Sequence, residues 1–343
     1  MDARAIAALA LLFAATACGA RTTLRTEDGG AGSQGGAGSE GGAPPCSPFL
    51  IETKATVPSI VAEGERIYYV VTEGRVMSAD ADTGATTLLA QIPPQPINIP
   101  VALAVDAESI YASFDVDGAG AYGLFRLPKT GGAPEKIDSG RIDNAFVDAT
   151  GLYWTKFLAA QAKHEVFRRL PGGVTVVALG LVDESYNPLR GVFRGTAGLL
   201  VPSETALFAF DLQGAGPITL SDVWHISSPF ERDGGLFFNV DFGTPHGFFR
   251  SSPDGTMPEQ LYEGPFDRVV TDGVRWVFTS PNEEGHAVFG ASYPDGERSL
   301  VYQSPISVSP RAVALTPTRL VLGAAFWEGQ AGIQSLCRGA LGL

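Results

Sequence analysis

The chain is poor in charge, in cysteine and in histidine, and each shortage narrows what its 343 residues can do. Only 18% of them are charged, with 24 Lys and Arg against 37 Asp and Glu, a formal net charge of −13. Affinity for nucleic acid rests on neutralising phosphates with Lys and Arg, and the sequence has no basic cluster that could do so. A polyanionic partner is excluded. There is no G-x-S-x-G elbow, and His164-Glu165 lacks the second His of an H-E-x-x-H zinc site. Helical periodicity is missing too, and the main apolar run, residues 5–15, falls short of the roughly 20 residues that span a bilayer.

What the chain does have is a phrase repeated seven times at a period of roughly forty residues. Each phrase runs through a short apolar strand, a turn rich in Asp, Glu, Gly or Thr, and a second strand of aromatic and branched residues. A third strand carrying basic residues follows, then a Pro/Gly turn and a fourth short strand. The second strand shows the register: RIYYV from Arg66, SIYAS from Ser109, GLYWT from Gly151, GLLVP from Gly198, GLFFN from Gly235, VRWVF from Val274 and RLVLG from Arg319. Four short strands per unit at this spacing predict an all-β, seven-bladed β-propeller. First strands lining the channel are expected at 59–62, 101–105, 144–147, 191–194, 225–228, 267–270 and 311–315.

The amino terminus reads as a processing signal. The apolar run has the length of a secretory h-region, and residues 15–18, A-T-A-C, resemble the lipobox of bacterial lipoproteins. That resemblance implies cleavage after residue 17, a diacylglyceryl thioether on Cys18 and, with Gly19 next, sorting to an outer membrane. An ordinary signal peptide cut nearby is the alternative. Residues 18–45 then form a Gly/Ser-rich tether, with no large apolar residue after Leu24 to repay the entropy of ordering. A coil of this length spans roughly 30 Å. The propeller is assigned to residues 46–343.

With Cys18 given to lipid, Cys46 and Cys337 remain, one at each end of the repeat. The last unit stops after its third strand, and the segment following Cys46 occupies the place of a fourth strand before the first unit. The amino-terminal segment is therefore expected to close the ring as the outer strand of the last blade. A Cys46–Cys337 disulfide would replace the missing hairpin, as export to an oxidising compartment allows; two free thiols are the alternative.

The phrases LFRLPKTGG, VFRRLPGG and FFRSSPDG carry Arg126, Arg168 and Arg250 in matching places before Pro/Gly hairpins. Here the chain resembles secreted bacterial propellers of the TolB, NHL and YWTD kinds, with LYWTK at Leu152 the YWTD-like element. YWTD rings have six blades and this chain has seven units. The resemblance implies fold and leaves activity open, because such rings host unrelated functions.

Candidate chemistry is sparse. Asp106, Asp148, Asp233 and Asp272 recur after first strands, where Asp caps the backbone of a tight turn. The G-x-G-x-x-G match ending at Gly123 is followed by a strand, so no helix N-terminus is there to hold a phosphate. Asp115-Val-Asp117-Gly118 is a fragment of a calcium loop, or a plain turn. His164, His246 and His286 stand where third strands begin and His225 where a first strand begins, placing all four on one rim. With Asp241 nearby, His225, His246 and His286 could hold a divalent ion; solvated loop histidines are the alternative, and no cofactor is otherwise expected. The same rim carries Phe157, Tyr186, Trp224, Phe242 and Trp327, residue types that anchor interfaces or stack on a ligand, or else pack between blades.

The sequence thus points to a monomeric, lipid-anchored envelope propeller that binds a protein, small ligand or glycan through a loop-rich rim and is not an enzyme. A metal-dependent hydrolase or lactonase and a passive assembly module are the competing readings.

Overall fold

The computed structural model describes residues 47–343 apart from 53–55, 72–73, 93–97, 117–122, 183–188, 190, 214–215, 222–224, 242–244, 283–284, 305–308 and 326–331. Residues from Pro45 to the carboxyl end form one compact unit. It is a seven-bladed β-propeller: seven antiparallel four-stranded sheets and a single short 3-10 turn, Gly339–Leu341, among the described residues.

Six blades are simple meanders. The first contains β2 (Ser59–Glu63), β3 (Arg66–Val70), β4 (Arg75–Asp80) and β5 (Thr86–Gln91), and β1 (Phe49–Glu52) precedes it. The second contains β6 (Asn98–Val105), β7 (Ser109–Val116), β8 (Gly123–Pro128) and β9 (Glu135–Ser139). The third contains β10 (Ile142–Asp148), β11 (Gly151–Leu158), β12 (Lys163–Arg169) and β13 (Val176–Val182). The fourth contains β14 (Phe193–Arg194), β15 (Gly198–Pro202), β16 (Leu207–Asp211) and β17 (Pro217–Ser221). The fifth contains β18 (Ile226–Arg232), β19 (Gly235–Val240), β20 (Gly247–Ser251) and β21 (Glu259–Glu263). The sixth contains β22 (Arg268–Thr271), β23 (Arg275–Asn282), β24 (Gly285–Ser292) and β25 (Ser299–Ser304).

The seventh blade is composite, as expected. It holds β26 (Ser309–Leu315), β27 (Arg319–Ala325) and β28 (Gly332–Cys337), and its outer strand is β1, running antiparallel to β28 with Phe49 opposite Ser335 and Leu50 opposite Gln334. Arg319 fastens the seam. It is nearly buried, its Nη1 donates to Ser47 O at 3.0 Å and lies 3.2 Å from Cys337 Sγ, its Nε reaches Asp82 at 2.9 Å, and it stacks on the Phe49 ring at 5.0 Å.

A blade has neighbours on both faces, which explains why second strands read as unbroken apolar runs. All five residues of β15 are buried, as are the first five of β11. Their side chains fill seven separate cores, one per pair of adjacent blades around the circle. Ile67 and Tyr69 pack with Val321 and Ile333 between blades one and seven, Tyr153 packs with Leu199 between three and four, and Phe237 and Phe248 pack with Trp276 and Phe278 between five and six. Each fully buried large side chain stabilises by roughly 1.5–3 kcal/mol through area removed from water.

Buried polar side chains register the blades. Ser113 Oγ donates to Ile142 O of the next blade at 3.2 Å while accepting Ala102 N at 2.9 Å. Asn239 Nδ2 donates to Phe266 O at 2.7 Å, and Ser335 Oγ to Ala81 O at 2.9 Å. A carbonyl left without such a donor would carry the desolvation cost of an unmade hydrogen bond.

Candidate functional site

Two faces follow from the meander. One carries the turns joining first to second and third to fourth strands, here the hairpin face. The other carries the loops joining second to third strands and blade to blade, here the crossover face. The sequence reading placed its site on the crossover face.

Tyr186, Trp224, Phe242 and Trp327 lie outside the described residues. Phe157 is half-buried on β11, its ring 5.0 Å from that of His164 and 5.5 Å from the Arg141 guanidinium. His164 corrects the expectation of a rim residue. It is the second residue of β12 and only 1% exposed, with Nε2 at 2.9 Å from Asp143 Oδ2 and Asp143 Oδ1 at 2.9 Å from Arg141 Nε. β12 begins one residue before it, so its side chain falls inside the blade.

His225, His246 and Asp241 are half-buried at the crossover end of blade five. His225 has a left-handed backbone, φ 60°; its amide donates to Glu204 O at 2.7 Å and its carbonyl accepts Asp241 N at 3.1 Å. The Asp241 carboxylate accepts Ser227 Oγ at 2.6 Å and Asn239 Nδ2, so it belongs to the cluster that registers blade five on blade six. His246 offers its carbonyl to Gln260 Nε2 at 2.9 Å. His286 is the second residue of β24, opposite Pro281, and its side chain is outside the described set. Among the described residues no group of three or more His, Cys, Asp or Glu is placed to hold a metal ion.

Two concavities lined by described residues open on the hairpin face. The capping role expected of the turn aspartates holds for three of them. Asp106 Oδ1 accepts Glu108 N and Ser109 N at 2.8 and 2.7 Å, Asp148 Oδ1 accepts Thr150 N at 2.7 Å, and Asp272 Oδ1 accepts Val274 N and Arg275 N, both at 2.8 Å. Asp233 instead sits at φ 48° in its turn and pairs with Arg232 at 3.4 Å.

Beside these turns two clefts open between neighbouring blades. One, of about 680 Å³, lies between blades two and three and is lined by Tyr111, Arg126, Asp148 and Arg169 among others. The other, of about 550 Å³, lies between blades five and six, lined by Arg232, Phe237, Arg250 and Tyr293 among others. They occupy equivalent places in the repeat. Arg126 faces Tyr111 across the second and third strands as Arg250 faces Phe237. Arg168, at the matching position of blade three, is committed to structure: it donates to Leu212 O of blade four and to Thr150 O, both at 3.0 Å. Arg126 and Arg250 reach instead for carboxylates on their own outer strands, Glu135 at 3.8 Å and Glu259 at 2.7 Å. The repeated phrase marked all three arginines in the sequence; nothing in it separated the bridging one from the two that line clefts.

Electrostatics inside the clefts are set by burial and by the turn carboxylates. Burial, then the hydrogen bond from its hydroxyl to Asp106 Oδ2 at 2.8 Å, pushes Tyr111 up to about 12. Burial and Asp233 likewise raise Tyr293, whose ring lies 4.6 Å from the Arg232 guanidinium. The hydrogen bond to Glu259 raises Arg250 further. Each cleft thus offers guanidinium forks beside carboxylates, a lining suited to a ligand that carries donors and acceptors of both kinds.

No family model and no curated protein matches the chain. Solved structures do. YCF48 bound to a D1 peptide superposes with a TM-score of 0.64 at 10% identity, over 85% of this chain and 96% of that one. YCF48 from Cyanidioschyzon merolae gives 0.60 at 10% identity over 85% and 99%. The computationally designed Ika8 protein gives 0.55 at 9% over 84% and 98%. At such identities the likeness is one of fold alone.

Proposed function

We propose that the chain is a lipid-anchored propeller of the bacterial envelope that binds a peptide or protein partner without transforming it. The observation that carries this reading is the pair of equivalent open clefts: the same repeat position holds a bridging arginine in blade three and cleft-lining arginines in blades two and five. A polypeptide presents amide donors, carbonyl acceptors and charges of both signs, which is what guanidinium and carboxylate together can pair. The peptide-bound propeller of similar fold belongs to another protein, and is consistent with a ring of this kind serving as such a platform. Phe157, together with Tyr186, Trp224, Phe242 and Trp327 where the repeat register puts them, is the second candidate surface of the same reading.

The A-T-A-C sequence and the Gly/Ser tether support the anchor on Cys18. A Cys46–Cys337 bridge is supported by the seam, since Ser47 O and Cys337 Sγ share one Arg319 nitrogen. The test is crosslinking in intact cells expressing the chain with and without Arg126→Ala plus Arg250→Ala. A stoichiometric adduct lost in the double variant is expected. A metal-dependent turnover of substrate abolished by His246→Ala would overturn the reading.

A further inference from the structure

Away from the clefts, one buried sulfur has a cation beside it. Cys337 ends β28 and is only 2% exposed. Its Sγ lies 3.2 Å from Arg319 Nη1, on a nearly buried guanidinium whose Nε is taken by Asp82 at 2.9 Å. The neighbouring Arg338 is turned away, to Thr316 O at 2.9 Å and to Asp272. A sulfur in a disulfide carries no charge and gains little from a guanidinium. The thiolate released when that bond is reduced gains much more, because it sits enclosed from water next to a fixed positive charge. Stabilising the reduced form makes a disulfide easier to reduce, and a low-pKa thiol is the faster leaving group in exchange.

The strand secured at this corner has little else to hold it. β1 is four residues long, its register with β28 shifts between Leu50 and Glu52, and Leu50 is 62% exposed. Its remaining attachments run through the same arginine, which holds Ser47 O and stacks on Phe49. Ser47 and Pro48, directly after Cys46, are exposed, whereas Cys337 is enclosed, so a reductant approaches from the Cys46 side.

We infer that the seam of blade seven is a redox latch, opened by thiol reductants, with Cys337 as the leaving thiolate and Arg319 as the residue that stabilises it. The inference rests on the Cys46–Cys337 bridge proposed above. The thiolate of a reductant attacks Cys46 Sγ, the Cys46–Cys337 bond breaks, and its electron pair leaves on Cys337 Sγ. A second reductant thiol then attacks the reductant's own sulfur and releases Cys46. Two thiols become one disulfide, and the protein gains two electrons. With the bond open, β1 keeps only its interrupted ladder and the Arg319 contacts, so the strand that joins ring to tether detaches more readily.

The test equilibrates the full chain carrying Cys18→Ser in buffers of reduced and oxidised glutathione at pH 7. Free thiols are then trapped by alkylation in denaturant and counted by mass. The parent should be reduced at a glutathione poise that ordinary structural disulfides resist. Arg319→Met should be at least tenfold harder to reduce, a shift of about 30 mV, while Arg319→Lys, which keeps the charge, should stay within about threefold of the parent. A purely structural arginine would weaken both redox forms alike and leave the midpoint in place; that result overturns the inference while the bridge stands. Two free thiols in the air-oxidised parent overturn the bridge, and the latch with it. Hydrogen exchange on the parent keeps the inference testable if Arg319→Met fails to fold. The amides of residues 49–52 should lose protection on reduction before the rest of the ring, and equal protection in both forms overturns the latch.

Discussion

Arg319 Nη1 donates to the carbonyl oxygen of Ser47 at 3.0 Å, across 272 residues of sequence. That contact joins the two ends of the repeat at the same corner of blade seven. It also explains why an arginine there is buried: its other partners, Asp82 and the Phe49 ring, belong to the first blade and to the borrowed strand.

Arg319→Ala removes the ion pair, the backbone bond and the stacking together. Breaking a fully buried pair costs about 3–5 kcal/mol, and because the Asp82 side chain is half open to solvent the expected loss is about 2–3 kcal/mol. Urea unfolding measures it. An unchanged midpoint would mean that the seam is held by β1–β28 pairing alone.

The pair of His164 and Asp143 is a second buried commitment, and it separates two accounts of this site. If it is structural, Asp143→Ala should destabilise by about 1–3 kcal/mol by removing the polar neighbour of the buried His164 ring and the carboxylate beside Arg141, while the double change Asp143→Leu, His164→Leu should recover most of that loss. Thermal unfolding of both variants checks this. A double variant as unstable as the single one would contradict it.

Alkaline stability should report on Tyr111. Its hydroxyl titrates near 12 in the folded chain against 10.0 when unfolded, so the unfolded chain loses its proton first as pH rises. The contribution is therefore complete below pH 10 and lost between pH 10 and about 12, by at most about 3 kcal/mol. Tyr111→Phe should flatten the stability profile across that interval, read by denaturation at stepped pH.

Gly255 sits at φ 78° in the hairpin between β20 and β21, where an added Cβ would run into the backbone oxygen of Leu220 in blade four. Gly255→Ala thus combines left-handed strain with a clash between blades. A loss of about 1–3 kcal/mol is expected in the same unfolding assay.

The ring was legible because its repeat is carried by residues buried on both faces, which selection of shape confines to apolar types at fixed spacing. Six of the seven second strands begin at the residue read from sequence, and the seventh, β23, starts at Arg275 rather than Val274. The borrowed strand was legible from a count: the last unit was one strand short. First strands were less clear where they are brief, as in β14, which holds only Phe193 and Arg194. Side-chain destinations were not legible. His164 and His246 both stand near the start of a third strand, but one enters the blade against Asp143 and the other stays half-buried at its end, a difference set by one residue of strand boundary. The registering residues Ser113 and Asn239 were missed, although both stand fifth in their second strands, a polar residue set between buried apolar ones.

The most direct measurement compares urea unfolding of the chain from Cys46 with that of a chain starting at Thr56, which lacks β1. The shortened ring should unfold at a markedly lower midpoint, and a synthetic peptide of residues 46–55 added in trans should restore much of the difference. Equal midpoints, or no response to the peptide, would contradict a propeller closed by its own amino-terminal strand.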